Sequence, residues 1–151
     1  MIRNEKEARQ LSGDTLSYLG DSVIELCVRT YLIECGIVRS GDLNRASIAF
    51  VSATAQARAV ERILPALSED ELGVYRRAHN KGHIQNVPRS ATVGQYRAAT
   101  GMEALFGYLY LSGSLSRIRE LFLIGYPEAE GAVLRAFSLN ALTEMNENKK
   151  L

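Results

Sequence analysis

The chain has 151 residues, 46% of them hydrophobic and 23% charged, with three prolines and a formal net charge of +1. That is the composition of a soluble globular protein large enough for a real core, and it excludes a low-complexity chain. No apolar stretch approaches the roughly 20 residues a membrane span needs, and near-neutral charge does not by itself announce a nucleic-acid binder.

The charged first ten residues lack the apolar stretch of a signal peptide. The protein is therefore expected in the cytoplasm, or in an organelle such as a plastid after loss of a transit peptide. No Asn-Gly hairpin occurs, and apolar residues recur three and four apart rather than alternately. The pattern predicts an all-α fold in one domain over residues 1–151, with its core at about 12–140. A first helix is predicted after Ser12-Gly13-Asp14, with Asp14 as its N-cap, running to about Cys35 and stopped by Gly36. Leu16, Leu19, Val23, Leu26, Cys27, Thr30 and Ile33 form its predicted buried stripe. Ser17, Asp21 and Glu25, four apart, form a second stripe.

A short helix is predicted from Gly41-Asp42 to about Ile48, and another from Ser52 to Leu64, capped by Ser52 and ended by Pro65. Ser68-Glu69-Asp70-Glu71 reads as a capping box opening a helix that fades near His79. Residues 80–89 read as a loop. A second main helix is predicted from about Ala91 to Ser112, ending at Gly113, then one from Leu115 to Ile124. A last helix should open at Pro127 and carry Val133, Leu134, Phe137 and Leu142, before a frayed tail at about 146–151.

Asp21 lies in Leu16-Ser17-Tyr18-Leu19-Gly20-Asp21-Ser22-Val23, and Glu103 in Gly101-Met102-Glu103-Ala104-Leu105-Phe106-Gly107. A carboxylate inside so apolar a helix is costly unless it is paired or holds a cation. Gly20, Gly101 and Gly107 lie beside them, and mid-helix glycines point to close helix approach. Two readings stand: each acid is a structural ion-pair partner or helix-face group, or the two converge on a hard metal ion.

The stretch from Leu72 to Met102 has no Asp or Glu but holds Arg76, Arg77, Lys81, Arg89 and Arg97. It is either a solvated surface or a grip on an anionic partner such as phosphate. His79 and His83 have helical zinc spacing, but Asn80 and Gly82 interrupt the helix and no Cys or acid is near, so they read as loop histidines. Cys27 and Cys35 are eight apart on one predicted helix, about 12 Å along its axis, too far for a disulfide. They read as two buried thiols. The seven tyrosines are mostly at core-like spacing, and no Walker loop or Gly-x-Ser-x-Gly elbow occurs.

The Asp21 segment resembles the signature helix of the ribonuclease III family, and Met102 to Leu111 resembles its second signature. The resemblance spans about residues 12 to 140, leaving no length for a double-stranded-RNA-binding domain. With Val51-Ser52-Ala53, Ala55-Gln56-Ala57 and the run from Val87 to Arg97, it is similar to the small Mini-ribonuclease III subgroup. The family pattern has four acids per site. Here Asp21 and Glu103 match two of them, while Ser17 and Thr100 stand where the others are expected, as in that subgroup.

The resemblance implies a magnesium-dependent endoribonuclease with Asp21 and Glu103 as catalytic metal ligands. Ser17, Glu25 and Thr100 would then support the metal's waters, with a helix-face salt bridge the alternative for Glu25. The substrate implied is double-stranded RNA, from the precursor of large-subunit ribosomal RNA, cut to 5′-phosphate and 3′-hydroxyl ends. Arg76, Arg77, Lys81, Arg89 and Arg97 are the candidate RNA contacts. A homodimer is implied, with Tyr18 plugging the partner subunit or else packing within its own chain, and a ribosomal protein is a conceivable accessory. The competing reading is a ribonuclease-III-like scaffold dimer that binds RNA or ribosomes without cleaving, motivated by Ser17 and Thr100.

Overall fold

Two long helices, α2 (Gly13–Glu34) and α6 (Val93–Leu111), cross to make the spine of the protein. The structure, a computed structural model, describes residues 4–81 and 86–137. Five further helices complete the described part: α1 (Glu5–Gln10), α3 (Ser40–Val51), α4 (Ala53–Ile63), α5 (Glu69–His79) and α7 (Leu115–Gly125). No strand occurs among the described residues, so the all-α expectation holds. None of these helices is long and apolar enough to cross a membrane.

Helix α6 is buried along most of its length, from Ala99 to Leu109 with only Glu103 and Thr100 less covered. Helices α2, α4 and α5 pack around it, and α7 lies against α4 and α6. A helix apolar on all sides belongs at the centre of such a bundle. The α2–α6 crossing is set by two glycines. A Cβ added to Gly20 would sit 1.6 Å from the carbonyl oxygen of Glu103, and one on Gly107 would sit 2.0 Å from that of Leu16. Backbone touches backbone there, which only glycine permits. Gly101 serves another contact: it seats the ring of Tyr75 from α5, whose Cε2 would lie 2.5 Å from an added Cβ.

The glycine contact also corrects the predicted face of α2. The buried residues are Leu16, Gly20, Val23, Ile24, Cys27, Val28 and Leu32. Leu26 and Ile33, predicted inside, are 48% and 57% exposed. Hydropathy alone centres the stripe on the leucines, whereas the structure turns Gly20 inward because α6 approaches there. The cap is Ser12, whose Oγ accepts from Thr15 N at 3.1 Å, and Asp14 lies inside the first turn. Gly36 takes φ +85° just beyond the helix, as expected of a terminating glycine. Cys27 is buried but Cys35, at the C-cap, is exposed, so only one of the two thiols is internal.

The capping boxes give α5 and α6 their starts. Ser68 N donates to Glu71 at 2.8 Å and Glu71 N to Ser68 Oγ at 3.2 Å. Thr92 and Gln95 form the same reciprocal pair, so that α6 begins at Val93, two residues after its predicted start. Pro65 ends α4 in a short 3-10 turn, Leu64–Ala66. Helix α1, not expected from the sequence, is only six residues long and buries one of them, Ala8. It is held by Tyr108 Oη, which donates to Glu5 at 2.6 Å, and by an Arg9–Asp70 ion pair.

No helix follows α7 in the described residues. Pro127–Ala129 and Arg135–Phe137 are 3-10 turns instead. Gly131 and Leu134 adopt φ of +86° and +42°, which no α-helix accommodates. Glu34 of α2 fixes the bend by accepting from Val133 N and Leu134 N, both at 3.0 Å. Leu134 and Phe137 are buried as predicted, and Val133 is exposed. Leu142 and the tail at 146–151 lie outside the described residues.

Glu71 does more than cap. It is only 8% exposed and accepts from Arg117 Nε and Nη2 on α7, each at 2.9 Å. Burial pushes its carboxyl up, but the bonds from Arg117 and from Ser68 outweigh this and hold it below the ordinary value. Glu71→Gln is expected to cost about 2 kcal/mol at neutral pH, because one strong acceptor oxygen is lost beside a partly buried guanidinium. A carboxyl held low stabilises the fold above its unfolded value of 4.5, and the contribution fades as acid protonates the folded group. Urea titrations of both proteins should therefore differ at pH 7 and converge as the pH falls below that value.

Candidate active site

The α2–α6 crossing brings the two signature acids to one side. Ser17 and Asp21 lie one turn apart on α2; Thr100 and Glu103 lie on the facing side of α6. All four line one open cleft of about 600 Å³, whose wall includes Gln56 of α4 and Pro88 of the loop before α6. Ser17 Oγ donates to Glu103 Oε2 at 2.7 Å across the helix pair. The Thr100 hydroxyl donates to the Tyr96 carbonyl of its own helix at 3.0 Å. Asp21 is exposed at the rim, while Glu103 sits deeper. Thus Asp21 is not internal, as its apolar sequence neighbours led one to expect: it lies on an exposed side of α2 that lines the cleft.

The electrostatics are those of an unrelieved acidic pair. Burial pushes the Glu103 carboxyl up to about 7; the Ser17 bond opposes the rise and the Asp21 charge adds to it. Asp21 is also raised, by its partial burial and then by Glu25. Among the described residues no Lys or Arg lines the cleft, so none of them neutralises these carboxylates from its wall. Among the described residues no group of three or more His, Cys, Asp or Glu gathers as a metal cage. Two hard oxygen ligands in an open cleft nevertheless fit an ion such as magnesium, which keeps several waters and takes one or two carboxylates.

The remaining sequence candidates are placed differently. Glu25 is outside the cleft wall and pairs with Arg29 one turn further along α2. Tyr18 lines the mouth of the cleft and is 86% exposed, so it is not a core residue of its own chain. Arg76 and Arg89 are exposed. Arg77 donates to the Arg9 carbonyl, and Lys81 pairs with Asp14, itself in the cleft wall. Arg97 is partly buried, and its Nε has no hydrogen-bond partner. His79 packs on Tyr75 at 5.4 Å and bonds Asn80 through Nδ1 at 2.7 Å; His83 lies outside the described residues. Sequence reasoning passed over Asp14 and Gln56 as cleft residues. The available signal for Gln56 was a lone long polar side chain between Ala55 and Ala57.

Crossing helices that deliver Asp21 and Glu103 to one cleft define a class of helical nuclease, and comparison with known proteins agrees. The Ribonuclease III domain family matches residues 14–114, so the chain belongs to the ribonuclease III family and is an endoribonuclease. Its place there is among the Mini-ribonuclease 3 proteins. The Mini-ribonuclease 3 of Symbiobacterium thermophilum is 49% identical over 108 residues, 71% of this chain and 82% of that one. That of Brevibacillus brevis is 40% identical over 116 residues, 77% and 86% of the two chains. A crystal structure of a protein from Fusobacterium nucleatum matches with a TM-score of 0.70 at 34% identity, covering 77% of this chain and 92% of that one. Relatives bearing the name of a ribonuclease favour the enzyme over the non-cleaving scaffold.

Proposed function

We propose that the protein is a magnesium-dependent endonuclease of double-stranded RNA that acts as a homodimer in the cytoplasm and matures the large-subunit ribosomal RNA precursor. The observation that carries this reading is the shared cleft of Asp21 and Glu103, two hard ligands with no cationic side chain in its wall among the described residues. When bound, magnesium supplies activation of a water and stabilisation of charge on the scissile phosphate. Asp21 and Glu103 would hold it, one from α2 and one from α6. Ser17 turns the Glu103 carboxylate through its 2.7 Å bond and leaves the other oxygen free to ligate. Because the Glu103 carboxyl titrates at about 7, protons compete with the cation for it below that pH. In-line attack by water would leave 5′-phosphate and 3′-hydroxyl ends.

Exposed Tyr18 and Leu26 lie eight apart on α2 and so share one side of the helix. Their exposure supports an apolar contact with a second copy, in which Tyr18 plugs the partner. A two-fold pair would set one cleft against each strand of a duplex, with offset cuts leaving short 3′ overhangs. A-form RNA is gripped by its phosphates and 2′-hydroxyls. Arg76 and Arg89, exposed on α5 and in the loop before α6, are the best placed of the basic residues to do so. Arg77, Lys81 and Arg97 are the remaining candidates, and a ribosomal protein is a candidate accessory.

The test is a gel assay of purified protein on duplex and single-stranded RNA, with and without magnesium. Only the duplex with magnesium should be cut; an intact duplex contradicts the reading. Affinity should fall steeply with salt through counterion release. Arg76→Ala and Arg89→Ala should each weaken binding to all duplex sequences alike and lower the salt slope by about 1. Unchanged affinity in both would remove these residues from the RNA contact.

A further inference from the structure

Gln56 is 2% exposed, the deepest polar side chain of the described residues. Its backbone N–H closes the first turn of α4 onto the Ser52 carbonyl at 2.9 Å. Its side-chain amide makes no hydrogen bond to any described residue. The carboxamide nevertheless belongs to the wall of the cleft that holds Asp21 and Glu103. A Met of similar size would fill the same place. Arg97 Nε is the one sealed side-chain polar atom without a partner among the described residues, so the Gln56 amide keeps a little contact with the space of the cleft. Such a group, kept beside a catalytic cleft, has its partner in something that enters the cleft.

The other groups of the cleft say which partner that is. The carboxylates of Asp21 and Glu103 only accept hydrogen bonds when ionised, and that of Asp14 is paired with Lys81. The Ser17 hydroxyl is spent on Glu103 and that of Thr100 on the Tyr96 carbonyl. Among the described residues no Lys or Arg is present in the wall. The hydroxyls of Tyr18, Ser22 and Tyr96 also line the wall, but none of these residues is buried as Gln56 is. A phosphodiester arriving there brings acceptor oxygens, and the enclosed amide offers them a donor held in place. A fixed cation would supply one but would also pair with the carboxylates and compete with the metal. A neutral amide donates without doing so.

Building on the nuclease reading above, we propose that Gln56 is a substrate-binding residue whose Nε2–H donates to a non-bridging oxygen of the phosphodiester facing Asp21 and Glu103. It lies on α4, a third helix, so the phosphate is held from α2, α6 and α4 together. Because the donor is uncharged, it releases no counterion, and its contribution is independent of salt.

Q56M and Q56E test this in the full chain. Thermal midpoints are measured without RNA, then single-turnover cleavage of a mixed-sequence duplex RNA with magnesium, then the salt dependence of duplex binding. Q56M is expected to melt at or above the wild-type temperature, to cleave about 10- to 100-fold more slowly, as loss of a bond to a charged oxygen implies, and to keep the wild-type salt slope. Q56E, which puts an acceptor where the donor was, should lose more. A Q56M that cleaves at the wild-type rate overturns the proposal alone. So does a Q56M that melts well below wild type, since the amide then holds the fold rather than the substrate. Wild-type protein that leaves the duplex intact overturns the nuclease reading and this inference with it.

Discussion

Gly20→Ala is expected to lose about 4 kcal/mol or more of folding stability, a large share of the roughly 5–15 kcal/mol a domain possesses. In isolation the change should help, since Ala is favoured over Gly in a helix by about 1 kcal/mol. Here the added methyl would lie 1.6 Å from the Glu103 carbonyl oxygen, 2.5 Å from its carbon and 2.8 Å from Gly107 N. All three are backbone atoms of α6, so no rotamer can move aside. The helices must separate, which opens the most extensive contact in the protein and exceeds the usual 1–3 kcal/mol cost of overpacking. Gly73→Ala on α5 is the control. Nothing lies within 4 Å of its added Cβ, so it should gain roughly 0.5–1 kcal/mol. Urea unfolding followed by circular dichroism reads both, and a Gly20→Ala protein within 1 kcal/mol of wild type would mean the helices do not touch there.

Glu103→Gln carries the largest expected effect on activity. Cleavage should fall at least about a thousandfold, the loss that about 4 kcal/mol of transition-state stabilisation represents. The fold should survive, because the amide oxygen can still accept from Ser17. Stability should even rise at alkaline pH. The folded carboxyl titrates at about 7 against an ordinary 4.5, so the native state binds more protons between those values. Stability therefore falls as pH rises through that window, by up to about 3 kcal/mol in metal-free protein. Glu103→Gln lacks the penalty: it should match wild type near pH 4 and exceed it near pH 8. Asp21→Asn should lose cleavage in the same way. A variant with full activity would remove its residue from the catalytic set, and pH-independent stability difference would contradict the buried-carboxylate account.

The helices from α2 to α7 and the two signature segments were legible in the sequence because their signals are local, whereas the short α1 was not. Ser52, Ser68, Gly36 and Gly113 cap or stop helices within four residues of themselves, and all act where expected. The rotation of α2 was not legible. Which stripe turns inward depends on where α6 arrives, and the two glycines that decide it are 87 positions apart. The 3-10 path after α7 was hidden for a similar reason, since Glu34, a hundred residues upstream, holds the bend at Leu134. In the site, Asp21 and Glu103 were found through their motifs. Gln56 was not, because its burial and its lack of a partner are properties of the folded cleft and leave no trace in the Ala-rich segment around it.

The account depends on one divalent cation being shared by Asp21 and Glu103. Anomalous diffraction from crystals of the protein grown with manganese measures this directly. The prediction is a manganese peak within ligand distance of both carboxylates, absent when Glu103→Gln crystals are treated alike. Manganese bound elsewhere, with the space between the two acids empty, would contradict it.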